Sequence, residues 1–147
     1  MSDHATAKSK RMPQVLDSFA LVVLFLQQKG WEIVSQHLND AADGQYTHLM
    51  SSINFGEVYY SIIRTEGEQY AEAALKAIAE MPIEIIDPTR EQVLAAARLK
   101  SKGNISYADC FAAALALEGG LPVLTGDREF EKAEQQGVLV EWLPPNR

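Results

Sequence analysis

From residue 14 onward the chain alternates short apolar runs with longer stretches of helical period, and turn formers stand between them. Gln14–Asp17 (QVLD), Tyr46–Met50 (YTHLM), Ile83–Ile86 (IEII), Pro122–Thr125 (PVLT) and Val138–Trp142 (VLVEW) predict strands. Helices are predicted over FALVVLFLQQ after Asp17, over Trp31–Ala42, over about Ser51–Thr65, and over the Ala- and Glu-rich EQYAEAALKAIAEM. Further helices run from Asp87-Pro88-Thr89 to about Lys102, over Ser106–Leu117 and over Glu129–Gln136, with Gly30, Asp43-Gly44, Gly67, Pro82 and Gly103-Asn104 as breaks. This order predicts an α/β domain with a mainly parallel central sheet and helices on both faces. In such sheets ligands gather beyond the carboxyl ends of the strands.

The segment Ser106–Leu117 is apolar on every side, so it predicts a buried helix, yet it carries Asp109. A buried carboxylate needs a partner. The Ser106-x-x-Asp109 spacing is that of a capping box, and the free N–H groups and positive dipole end of a helix N-terminus favour an anion there. An acid tethered in this way is also prepared to ligate a cation.

Asp17 and Asp127 each fall between a predicted strand and helix, where an ordinary N-cap accounts for them singly. Glu57, in SSINFGEVYYSII, lies nearly opposite the stripe of Phe55, Val58, Tyr59, Ile62 and Ile63; solvent exposure is its plain reading, although Ile53 and Tyr60 flank it and predict partial cover. Joint placement changes this picture. Carboxylates gathered at one sheet edge repel in low dielectric, and a divalent cation with hard oxygen ligands relieves them. Mg²⁺ fits best, with Mn²⁺ as a substitute, and such centres serve phosphodiester cleavage.

Composition narrows the alternatives. The net charge of −7 excludes a broad basic surface that coats nucleic acid, but not a site where metal supplies the positive charge. The longest apolar run, Phe19–Leu26, is far short of the roughly 18 to 20 residues a bilayer span needs. Residues 1–11 are polar, with no apolar centre of a signal peptide, and predict a disordered tail before a single domain over 12–147. A lone Cys110 within the apolar helix suits a core residue in a reducing cytosol, which places the protein in the cytoplasm.

The chain has no phosphate-binding GxxxxGK[ST] loop, GxSxG elbow, HExxH or paired cysteines. Phe19 stands where a phosphatase of the haloacid-dehalogenase kind would want a second Asp. His4, His37 and His48 show no metal-ligand spacing and are assigned no role, the last two as surface or half-buried residues; Trp31, Trp142 and the five tyrosines could stack on bases, but their spacings favour core packing.

With VLDSFAL, NFGEV, ISYADCFAAALA and VLTGDREF in this order, the chain resembles the PIN-domain family, and within it the VapC-like toxins of toxin–antitoxin modules. The resemblance implies a three-layer α/β/α sandwich and a Mg²⁺-dependent endoribonuclease. Its catalytic acids would be Asp17, Glu57, Asp109 and Asp127. Asp17, Asp109 and Asp127 would ligate metal directly or through water, and Glu57 would ligate it or orient the nucleophilic water. Ser18 and Thr125 match supporting hydroxyls, Ser18 being equally explained by capping, while Glu129 stays outside the core site. The resemblance also implies RNA as substrate, a homodimer and a cognate antitoxin. Arg64, Arg128 and Lys132 follow site acids and are candidates to guide RNA. The alternative is a non-catalytic PIN-like module that binds RNA or a partner without cutting.

Overall fold

The computed structural model describes residues 11–145, so the tail expected over 1–11 lies outside the described residues except for Arg11. Strands β1 (Val15–Leu16), β2 (His48–Ser51), β3 (Ile83–Ile86), β4 (Val123–Thr125) and β5 (Val140–Trp142) form one sheet in the order β3-β2-β1-β4-β5. Every pairing is parallel. The helices are α1 (Ser18–Leu26), α2 (Trp31–Gly44), α3 (Ser52–Glu66), α4 (Glu68–Ala79), α5 (Arg90–Lys102), α6 (Tyr107–Gly119) and α7 (Phe130–Glu134).

The period of two in the strands divides the core. Val15 and Val123 point to the layer of α5, α6 and α7, where they pack with Ala96, Leu99, Cys110, Phe111 and Phe130. Leu16 and Leu124 point the other way and pack with Leu21, Val34, Val58, Ile62, Ala74 and Ile78 of α1 to α4. The result is the expected α/β/α sandwich, with all strands aiming their carboxyl ends at one edge.

Three local readings are corrected. α1 stops at Leu26 rather than near Gly30, because Gln27 turns left-handed (φ 51°) and Gln28 N–H closes back on Val23 O at 3.0 Å. Gly30 instead caps α2, at φ 99°, a conformation that favours glycine. α7 is only five residues long, not the eight of Glu129–Gln136.

The third correction concerns His37 and His48, which are both buried, His48 completely. His48 Nδ1 accepts Gln14 N–H at 3.0 Å, its Nε2 lies 2.9 Å from His37 O, and His37 Nε2 meets Glu141 Oε2 at 2.8 Å. Gln14 Nε2 donates to the other Glu141 oxygen at 2.6 Å. Burial holds the His48 pKa below its ordinary value, so the ring is a neutral acceptor tying β1 to β2. Spacing along the sequence carries no trace of this network, whose members come from three elements and the residue before β1.

α6 meets the expectation of burial over its centre, where Asp109 through Ala116 are buried without a break, while Tyr107 and Leu117 at its ends are exposed. Its alanines let the helix lie close to both the sheet and α5. Ala112 is fully buried, so the extra volume of Ala112→Leu should overpack the core and lower unfolding free energy by about 1–3 kcal/mol in a urea titration.

Candidate functional site

The acids sit at the carboxyl edge because the chain changes direction there. β1 runs straight into Asp17, which caps α1: its Oδ1 accepts Ala20 N–H at 3.0 Å. β4 ends at Thr125, whose hydroxyl donates to Asp17 Oδ2 and accepts Asp127 N–H at 3.0 Å. Asp127 Oδ1 in turn accepts Glu129 N–H at 3.0 Å. Gly126, between them, passes so close to the Phe19 ring that a Cβ would overlap it. Any larger residue at this turn would have to displace the Phe19 ring.

At α6 the capping box forms by halves. Ser106 Oγ accepts Asp109 N–H at 3.3 Å, as the spacing predicts. Ser106 N–H, however, goes to Glu129 Oε1 at 2.9 Å and not to the Asp109 carboxylate. Glu129 supplies the reciprocal half of the cap, and the Asp109 carboxyl is turned toward Asp127, to which it hydrogen-bonds. Ligand oxygens of Asp109, Asp127 and Glu129 all lie within 4.8 Å of one another.

Asp17 and Glu57 lie outside that trio but within its field. Burial pushes the Asp17 carboxyl up to about 7, against the lowering effect of the Thr125 and Ala20 hydrogen bonds; Asp127 and Glu57 add to the rise. Burial, then the charges of Asp127 and Asp17, push Asp109 further, to about 9. Glu129 moves the other way, chiefly because Ser106 N–H stabilises its charged form. Mutual repulsion among buried carboxylates is thus present in this fold, as the sequence implies.

Glu57 is half-buried on α3, the partial cover expected of its face, although Ile53 and Tyr60 themselves are 38% and 48% exposed. What holds Glu57 is Asn54, fully buried one turn earlier. Its Nδ2 donates to Glu57 Oε1 at 3.2 Å and to Ala108 O at 3.1 Å, tying α3 to the first turn of α6. Ser18 opens α1, and the cap comes from Asp17 rather than from its hydroxyl.

Two residues were left out of the site by sequence. Glu129 stood outside the core site and Asn54 was unremarked, although both lie within stretches that drew attention, GDREF and NFGEV. Of the three cations expected nearby, Lys132 donates to Asn104 O at 3.0 Å, and Arg128 pairs with Glu131 and covers the half-buried Trp142 ring at 4.8 Å. Arg64 lies over Tyr60 at 5.2 Å.

A PIN-domain family model matches residues 15–135. The chain belongs to the PIN-domain family. No curated protein matches it. Among solved structures it is similar to VapBC2 from Rickettsia felis bound to a promoter DNA fragment, at 17% identity and TM-score 0.73, covering 90% of this chain and 100% of that one. DNA-bound VapBC from Salmonella typhimurium follows at 19% and 0.69, covering 88% and 98%. Mycobacterium tuberculosis VapC20, a sarcin-ricin-loop-cleaving toxin, matches at 16% and 0.68 over the same shares. At these identities the likeness establishes a shared PIN fold.

The trio offers only carboxylate oxygens, the hard donors that suit a divalent cation of the Mg²⁺ or Mn²⁺ kind. This PIN domain should also show the strain of its acids in the absence of metal. Asp17 and Asp109 hold protons in the folded state above the pH where an unfolded Asp, at 3.8, has lost them, so raising the pH through about 7 and 9 must favour unfolding. His48, with its lowered pKa, costs stability only as pH falls below 6.5. In chelator, the melting temperature should therefore fall between pH 6.5 and about 9, and Asp109→Asn should flatten that fall.

Proposed function

We propose that this PIN domain is a Mg²⁺-dependent endoribonuclease, the toxin of a toxin–antitoxin pair, with Asp17, Glu57, Asp109, Asp127 and Glu129 as its acidic centre. The observation that carries the reading is the Asp109 carboxyl, which faces Asp127 and Glu129 within 4.8 Å while Glu129, and not Asp109, takes the Ser106 N–H. An acid needed only to cap α6 would keep its own half of the box. Further support comes from the family and from the fold shared with VapBC complexes and with VapC20.

Asp109, Asp127 and Glu129 would hold the cation, with Asp17 able to join through water from its buried place beside Thr125. A bound divalent cation supplies charge neutralisation and Lewis acidity to phosphodiester hydrolysis. The chain's own groups do the rest. Glu57, fixed by Asn54, orients the attacking water and accepts its proton. Thr125 fixes Asp17 and, by accepting the Asp127 N–H, sets the turn that presents Asp127. Asn54 also joins the Glu57 carrier to the Asp109 carrier, so base and ligand keep their spacing.

A cognate antitoxin and a homodimer are the partners this reading expects, in the cytoplasm. The test is incubation of the purified protein with a structured RNA pool in Mg²⁺ or Mn²⁺, in chelator, and as Asp109→Asn. Discrete products should require both metal and Asp109. Glu57→Gln should slow cleavage by roughly 10²–10⁴-fold, the usual loss on removing a general base, while calorimetry still detects Mn²⁺ binding. Full-rate cleavage by Asp109→Asn would overturn the site; a folded parent that neither binds Mn²⁺ nor cuts RNA would be a non-catalytic binding module.

A further inference from the structure

The chain carries a −7 charge, and a centre of carboxylates repels the polyanion it is read as cutting, so some element must hold RNA by a local positive charge. α3 has one. Ile53, Glu57, Tyr60 and Arg64 stand four, three and four residues apart, which places them on a single stripe of the helix. The Tyr60 and Arg64 side chains are exposed, and the guanidinium lies over the Tyr60 ring at 5.2 Å. Among the described residues Arg64 enters no ion pair, whereas Arg128 and Lys132 are engaged with Glu131 and the Asn104 carbonyl. The helical rise puts Arg64 about 10 Å along the axis from Glu57, a span of one to two nucleotides.

We propose that the Tyr60–Arg64 pair is a subsite for single-stranded RNA, in which a base flanking the cleaved bond stacks on Tyr60 and the adjoining phosphate is neutralised by Arg64. The chemistry matches the general design of single-strand binding, an aromatic platform beside a cation. Packing explains neither residue: the buried positions of α3 are Asn54, Val58 and Ile62, on another face. The pre-stacked guanidinium keeps the long Arg64 side chain ordered, so less freedom is lost when a phosphate arrives. This subsite rests on the ribonuclease reading for its place beside Glu57, but its binding is measurable without cleavage.

The experiment uses full-length Asp109→Asn protein and a fluorescent single-stranded oligoribonucleotide, with Kd followed against salt. Arg64→Ala should weaken binding about tenfold and lower the slope of log Kd against log salt by about 0.7, the share of one phosphate contact on a single strand. Tyr60→Ala should weaken binding several-fold with the slope unchanged, and Tyr60→Phe should restore it, because stacking needs the ring and not the hydroxyl. Arg98→Ala removes an exposed cation from α5, in the opposite layer, and should leave Kd unaltered. Loss of binding equal to that of Arg64→Ala in the Arg98 control would mark a diffuse charge effect and overturn the subsite. Unchanged affinity in both α3 variants would also overturn it, as would a change in solution mass with RNA affinity intact, which would mark the stripe as a protein contact. Wild-type cleavage decides the ribonuclease reading separately: an active parent with unaffected α3 variants removes only the subsite, and an inactive parent with the predicted binding losses removes only the catalysis.

Discussion

Two buried carboxylates that resist ionisation set the terms for the whole carboxyl edge. Asp17 and Asp109 are 1% and 4% exposed, and each is raised first by its burial and then by the charges of the other acids. A fold that placed them there without compensation would lose several kcal/mol per isolated charge. The compensation is only partial: a hydroxyl and an N–H for Asp17, and protonation for the rest. An edge so constructed is a poor structural device and a good receptor for a cation, since the strain relieved on binding adds to the ligand bonds formed.

Everything around that edge limits its freedom. Thr125 ties β1 to the β4 loop, Glu129 ties that loop to α6, and Asn54 ties α6 to α3. These links run through hydrogen bonds to backbone or to one defined oxygen, so the acids cannot separate to relieve their repulsion. The alanine-rich face of α6 and the glycine at position 126 serve the same end by permitting close approach. Repulsion is held in place by packing on both sides of the sheet, and the two hydrophobic clusters that Val15 and Leu16 open on opposite faces are what hold it.

The layered fold was legible in sequence because its signals are local: β3 coincides with IEII, Thr89 caps α5 through a full capping box, and apolar α6 is buried as its composition requires. Asp17, Asp109 and Asp127 were legible for the same reason, each marked by a strand end or a helix start. Glu129 was not, because its role is to complete a cap on Ser106, twenty-three residues earlier, and pairing of that kind leaves no spacing to read. The His37–Glu141–Gln14–His48 network was missed on identical grounds, being assembled across separations of up to 127 residues. Glu57 shows the intermediate case: its helix was predicted, but its orientation depends on an asparagine that bonds across to another helix.

Asp109 and Glu129 divide the labour at the start of α6, so the trio that could hold a cation includes one acid beyond the four expected. A single carboxylate in the first turn of α6 has two claims on it, the orphan N–H groups of the helix and the site in front. If it satisfied the cap it would be a stable, low-pKa anion with its oxygens turned away. Glu129 meets the claim of Ser106 N–H, and the shift of its own pKa downward records that bond. Asp109 is then raised, buried and turned toward Asp127. The same pair of residues therefore separates holding the helix from facing the site, and the edge gains a carboxyl turned toward Asp127 without an uncapped helix.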